Sequence, residues 1–195
     1  MRPLLLWSAL LVTAVPAVAT SATFAVRSGG GTRVVFVSKA PTETFEGKTN
    51  RMEGTLTLDP GAVGDSITVH LEVDLASLDT GSKMRDQHMR EKHLEVTKYP
   101  KAIFDGAAVL SPAGAKLELG KLTAFQIEGT FALHGVSRRL HCDAQASLVS
   151  GGIAFSATFP VLLGDYQIKR PEILFLKLAE LQQVRVSATA SSTGQ

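Results

Sequence analysis

The residues of this chain with the capacity for chemistry are five histidines, one cysteine and scattered acids. His88 and His93 lie five positions apart, on different faces of any helix, and His88 with Glu91 supplies only two ligands where a metal site needs three or four. His134 belongs to a turn, His134-Gly135-Val136-Ser137, which also accounts for Ser137. The histidines therefore read as solvated or capping groups, and no metal site is assigned. Cys142 falls on the apolar side of an alternating run while His141 points the other way, so the thiol reads as buried and unreactive. As the only cysteine it forms no intrachain disulfide. No Gly-x-Ser-x-Gly elbow occurs. Glu72 and Asp74 lie on the polar side of a strand, as solvated acids do. No catalytic residue is expected, and the chain reads as a binding protein rather than an enzyme.

Charge points the same way. The formal net charge is +2, which creates no global field for nucleic acid. Lys83, Arg85, Arg90, Lys92, Lys98 and Lys101 gather in one segment, with no aromatic ladder to stack bases. They suit a solvated helix face or an acidic headgroup, the latter implying transient membrane contact. Nothing in the pattern specifies an oligomeric state.

The elements that would carry these groups are strands. From Ser66 to Leu75, Ile67, Val69, Leu71, Val73 and Leu75 share one face, with Ser66, Thr68, His70, Glu72 and Asp74 on the other. The same alternation runs through Val34–Ser38, Met52–Leu58, Ala102–Phe104, Phe125–Leu133, Leu140–Leu148, Ile153–Val161 and Val184–Ala190. Turns are expected at 29–31, 59–61, 111–114 and 151–152. Strands so spaced predict an all-β meander closed into a barrel or folded as a sandwich. Only Gly81 to Tyr99 breaks the rhythm. A helix from about Lys83 to His93, capped by Asp79 or Thr80, would lean Met84 and Met89 on the barrel as a lid.

Six phenylalanines, at 36, 104, 125, 131, 155 and 159, fall on the apolar parity of their strands. They either fill the barrel or line a greasy cavity. In the second case the lining is Phe36, Leu71, Val73, Phe104, Phe125, Phe131, Leu140, Phe155 and Phe159, with Met84 and Met89 from the helix.

The first residues resemble a cleaved export signal: Arg2, an uncharged apolar run from Leu4 to Val15, then Ala17-Val18-Ala19 before a cut at Thr20. Residues 1–19 are expected to be the signal, 20–190 the domain and 191–195 a flexible tail, placing the mature protein in the periplasm or beyond.

The stretch Val69 to Gly106 resembles the YceI-like family. The likeness is carried by Asp79-Thr80-Gly81, Arg85-Asp86-Gln87-His88-Met89, Tyr99-Pro100 and Phe104. Ile127 to Ser137 resembles the family's Gly-x-Leu-x-x-x-Gly-Val-Thr hairpin, and the early Val34-x-Phe36 extends the likeness over roughly 22 to 190. The chain departs from the pattern at Thr23–Ser28 and at Gly164–Pro171. The resemblance implies an eight-stranded antiparallel, lipocalin-like barrel in the periplasm, enclosing a long apolar molecule. An isoprenoid quinone or polyprenyl compound is the first expectation, a fatty acid or its amide the second, with no other cofactor. Each buried methylene contributes about 0.8 kcal/mol, so a ten-carbon tail gives on the order of 8 kcal/mol before ordering costs. The alternative is a structural or interaction module with a filled core and no ligand.

Overall fold

The computed structural model describes residues 21–40, 43–63, 67–111, 115–173 and 176–193. The expected export signal, Ser66 and the turn residues 112–114 lie outside them.

Alternating side chains form strands here because one face of each finds a common interior. The strands are β1 (Ala22–Val26), β2 (Arg33–Lys39), β3 (Thr44–Thr49), β4 (Met52–Leu58), β5 (Ile67–Asp74), β6 (Lys101–Ser111), β7 (Thr123–Leu133), β8 (Val136–Val149), β9 (Gly152–Leu162), β10 (Glu172–Ile173), β11 (Leu176–Lys177) and β12 (Leu181–Ser192). β10 and β11 make a small separate hairpin. The others are antiparallel neighbours in the order β1-β4-β5-β6-β7-β8-β9-β12, and β12 closes the ring on β1 through Phe24↔Ser192. β2 and β3 continue β1 and β4: β2 also pairs with β12, and β3 with β2. Eight strands thus form a closed barrel, the first two interrupted midway. The interruption falls at Gly29-Gly30-Gly31 on one strand and Asn50-Arg51 on the next, joined by Gly29 N–H donating to the Asn50 carbonyl at 3.0 Å.

Three expectations are corrected. β12 runs on through Ser191 and Ser192, so the segment read as a tail begins in the barrel's closing pair. The N-cap of the helix is Ser82, not Asp79 or Thr80. Asp79 instead accepts from Gly81 N–H at 2.7 Å, and Thr80 donates to the helix residue Asp86. The helix itself divides into α1 (Lys83–His88) and a π turn (Met89–His93). Alternation also missed β1, a short row of Ala22, Phe24 and Val26, and β3, where Phe45 and Gly47 are followed by Thr49 on the same face.

The barrel has unlike ends. At one end, Val63 N–H donates to Ala115 O and Leu117 N–H to Pro60 O, both at 2.8 Å. These loops press Val63, Ala115 and Leu117 into the core as a plug. The other end carries α1, the π turn, the His134-Gly135 hairpin and the long connection from β9 to β12.

Cys142 is buried on the inner face of β8, where loss of hydration pushes its thiol up to about 12. Thiol labelling should therefore be slow in the folded protein and fast in denaturant. Rapid native labelling would reverse the in/out assignment of β8.

Candidate functional site: an apolar tunnel

The six phenylalanines do not fill the barrel. A cavity of about 1030 Å³ runs along its axis, at the upper end of the roughly 300–1,000 Å³ typical of ligand sites. Its wall is apolar over most of its length, and its polar groups gather at the helix-bearing end: Glu43, Thr80, Ser82, Arg85, His88, Lys92, His93 and Gln182.

Two features keep the centre open. Small residues stand at several inward positions, with Ala144 and Ala146 on β8, Ala157 on β9 and Ala102 on β6. Elsewhere, glycines let rings approach the sheet closely. Phe36 faces Gly47 across β2 and β3, and a Cβ built on Gly47 would lie 2.1 Å from its ring. Gly106 and Gly129 face each other across β6 and β7, and a Cβ on either would lie 2.7 or 2.6 Å from the ring of Phe104. Rings seated on glycines take up less of the bore than rings pointing at its axis. Phe131 instead packs edge-on against Phe159 and Tyr166, at centroid distances of 5.5 and 5.6 Å.

Of the residues expected to line the interior, Phe36, Leu71, Val73, Met84, Met89, Phe104, Phe125, Phe131, Phe155 and Phe159 border the cavity. Leu140 does not: it is half-buried against the core, and its cross-strand partner Gly129 lies under the Phe104 ring, which takes the interior position there. Met84 is 70% exposed. It touches only the rim and does not lean on the barrel, whereas Met89 packs against the core. Sequence reasoning missed Phe45, Val63, Leu117 and Gln182. Phe45 and Gly47 alternate on β3 but stand among polar neighbours, Val63 and Leu117 sit in loops without strand periodicity, and Gln182 continues the inward row of Val184 and Val186 on β12 with a polar side chain.

The rim is firmly built. Asp86, buried, accepts from Thr80 N–H at 2.8 Å and Thr80 Oγ1 at 2.6 Å. Arg85 donates to Thr80 Oγ1, Thr80 O and Glu43, and its guanidinium lies 4.0 Å above the Phe45 ring. The Asp79-Thr80-Gly81 turn, α1 and β3 are thereby tied together, with the charge of Arg85 spent on structure. Opposite, His93 Nδ1 donates to the Lys169 carbonyl at 2.9 Å, and His134 bridges Tyr166 O at 3.0 Å and Glu95 at 2.7 Å. These two histidines fasten the β9–β12 connection to the π turn and the loop behind it, so neither is merely solvated. His141 faces out and pairs with Glu128. Among the described residues, no three His, Cys, Asp or Glu side chains converge as a metal site.

A closed antiparallel barrel with a capped, apolar tunnel is the architecture of a lipocalin-like domain. The YceI-like domain model matches residues 20–190, and the chain belongs to that family. It is 28% identical over 102 residues to UPF0312 proteins of Vibrio parahaemolyticus and Vibrio cholerae, matching 52% of this chain and 49% of theirs. The chain thus spans about half the length of these curated relatives. Burkholderia cenocepacia BcnA shares the fold with a TM-score of 0.70 at 20% identity, over 82% of this chain and 96% of its own. A polyisoprenoid binding domain from Saccharophagus degradans, implicated in plant cell wall breakdown, aligns with a TM-score of 0.68 at 18% identity, covering 89% and 99%.

Burial holds His93 below its ordinary value of 6.5, against the bond to Lys169 O that would raise it. The unfolded chain therefore takes up this proton more readily than the folded one. Neutral His93 contributes stability above pH 6.5 that is lost as the pH falls through its folded value. Exposed His70 has the opposite sign, raised mainly by its hydrogen bond to Asp105. NMR titration should find His93 below 6.5 and His70 above it. Amide protection, with exchange rates corrected for their intrinsic slowing at lower pH, should be weaker in residues 163–173 and 176–181 at about pH 5 than at about pH 7.5. Unchanged protection would mean that the His93 contact does not hold this segment.

Proposed function

We propose that this protein is an exported binding protein that sequesters or carries a long apolar molecule, of isoprenoid or fatty-acyl type, in its barrel. The observation that carries the proposal is the tunnel of about 1030 Å³ with an apolar wall drawn from β2 to β9 and β12. Such a wall takes hydrocarbon in proportion to buried area and needs no specific polar contact along its length. An isoprenoid quinone or polyprenyl compound is the preferred ligand, a preference supported by family membership and by the polyisoprenoid-binding description of one structural relative. The leader-like sequence before Thr20 supports a periplasmic location. Exposed Met84 beside Lys83, with Lys92 on the same rim, suits brief contact with a bilayer during loading. The filled-core alternative loses its premise, because the six rings leave the bore open.

Protein purified from its native host and extracted with organic solvent should release up to about one equivalent of a long apolar molecule, identified by mass spectrometry. Ala157→Phe, which puts a ring into the bore from a small inward position, should cut the retained amount at least several-fold while circular dichroism stays native. Gly47→Ala should act more weakly by the same route, because its new Cβ meets only the movable Phe36 ring. Gly129→Ala meets the Asp105 carbonyl at 2.5 Å, and should instead cost about 1–3 kcal/mol in urea unfolding. Extracts free of any such molecule, with the fold intact, would overturn the carrier reading.

A further inference from the structure

One part of the barrel's outer face is apolar. The outward positions of β5, from Thr68 to Asp74, and of β8, from Ser137 to Ser147, are all polar. On β9 and β12 the outward rows end instead in Leu162 and Leu181, which are cross-strand partners, 42% and 48% exposed. Next along the ladder on this face, Gln183 stands between exposed Pro160 and half-buried Val37 of β2. The tunnel is bordered by their chain neighbours Val161 and Gln182, so Leu162 and Leu181 face away from it. Isolated exposed leucines are ordinary, but contiguous apolar residues rimmed by polar groups mark a contact surface.

The rim of this patch is basic. The outward positions that border it on β2, β3, β9 and β12 include Lys39, Lys48 and Arg185, with Glu46 as the one acid. Lys39 comes level with Leu181 where the Ala179 N–H donates to the Lys39 carbonyl at 2.7 Å. Arg185 and Lys48 both pair with Val35, one from each side. All three cations are exposed, and none has an ion-pair partner among the described residues. The patch also reaches the mouth of the tunnel. The β2–β3 turn after Lys39 is bound to α1 by Arg85 and Glu43, so an arc of rim runs from Leu162 and Leu181 through Lys39 to exposed Met84.

We propose that this flank is the face by which the protein docks on a bilayer containing anionic phospholipid, with Leu162 and Leu181 entering the headgroup layer and Lys39, Lys48 and Arg185 meeting lipid phosphates. This rests on the reading of the barrel as a lipid carrier, and it gives the loading step its surface. A long apolar molecule crosses water poorly, and a mouth held against the bilayer spares it that crossing. Interfacial binding draws its strength from buried apolar area and from attraction to anionic lipid, the two components of this patch. A second copy of the chain is the competing occupant. A two-fold interface sets a patch against itself, and the three unpaired cations would then face their own copies. The other exposed leucines, Leu110, Leu119 and Leu122, lie toward the plugged end, where Lys121 is already paired with Glu118.

The test is co-flotation of the delipidated protein, in the form its host processes, with vesicles of phosphatidylcholine containing about 30% phosphatidylglycerol. The protein should float with these vesicles and several-fold less with phosphatidylcholine alone. Leu162→Thr with Leu181→Thr, exposed positions where threonine keeps the strand, should weaken binding at least ten-fold. Lys39→Glu with Arg185→Glu should remove the advantage of phosphatidylglycerol. Leu119→Thr with Leu122→Thr should change neither. Uptake of diphenylhexatriene from solution reads the barrel separately. It should match the unmodified protein in all three variants, which also shows that they fold. Docking by this face is overturned if the unmodified protein stays off the vesicles, if phosphatidylglycerol makes no difference, or if the Leu162 and Leu181 variant binds as well as the unmodified protein. Loss of binding in the plugged-end variant instead overturns it too. So does sedimentation showing a dimer that the Leu162 and Leu181 variant dissolves, which would give the patch to a second copy. In each of these cases diphenylhexatriene uptake leaves the carrier reading standing. If the folded protein takes up no diphenylhexatriene, the carrier reading fails, and flotation still decides the docking face by itself.

Discussion

The structure depends on a shortage of side-chain volume inside a closed sheet. Closure satisfies the backbone of all eight strands and fixes the radius of the barrel. Whether the interior is then a core or a container is decided by what points inward. Alanines on β6, β8 and β9, and glycines beneath the rings of Phe36 and Phe104, supply too little volume for that radius. The tunnel is the remainder. It persists because the residues that would have to collapse into it are held by strand pairing on both sides, and a hydrogen-bonded barrel cannot contract to fill a void as a helical bundle can.

The two ends follow from the same constraint. A barrel with an unfilled bore must be stoppered where water would otherwise enter freely. At one end this is done with buried apolar residues from two loops, hydrogen-bonded backbone to backbone. At the other it is done with polar chemistry. Buried Asp86 organises the Asp79-Thr80-Gly81 turn, Arg85 binds that turn to β3, and His93 and His134 fasten the β9–β12 connection to the helical segment. Hydrogen bonds at a solvent boundary exchange readily with water and are weaker in net terms than apolar burial. The helix-bearing end is therefore held by bonds that water can replace, and the plugged end by apolar burial.

Much of this was legible in the sequence. Strict alternation exposes the inner row of each long strand, because a half-buried strand permits no other arrangement, and it placed the six phenylalanines on the inner side. It failed where side chains do not carry the signal. β1 and β3 are short, at five and six residues, and are held in place by pairing with β4 and β2. The plug residues sit in irregular loops, whose burial comes from what they cover and not from a period. Leu140 has the parity of a lining residue, yet the Phe104 ring over its partner Gly129 takes the interior position. Met84 has the composition of a lid contact but emerges on the water side of a helix whose rotation is set by Asp86 and Arg85.

The sequence by itself determined that the chain would form antiparallel strands with an apolar inner face, interrupted once by a short helix, because period and turn chemistry are local properties. Whether those inner faces met as a solid core or around an open tunnel was left undecided, since the rings that line a cavity are the same rings that could fill one. The tertiary structure decided it through contacts between residues far apart in the chain. Gly47 admits the ring of Phe36, and Gly106 and Gly129 admit that of Phe104. Volume and register belong to pairs of strands, and no single stretch of sequence contains them.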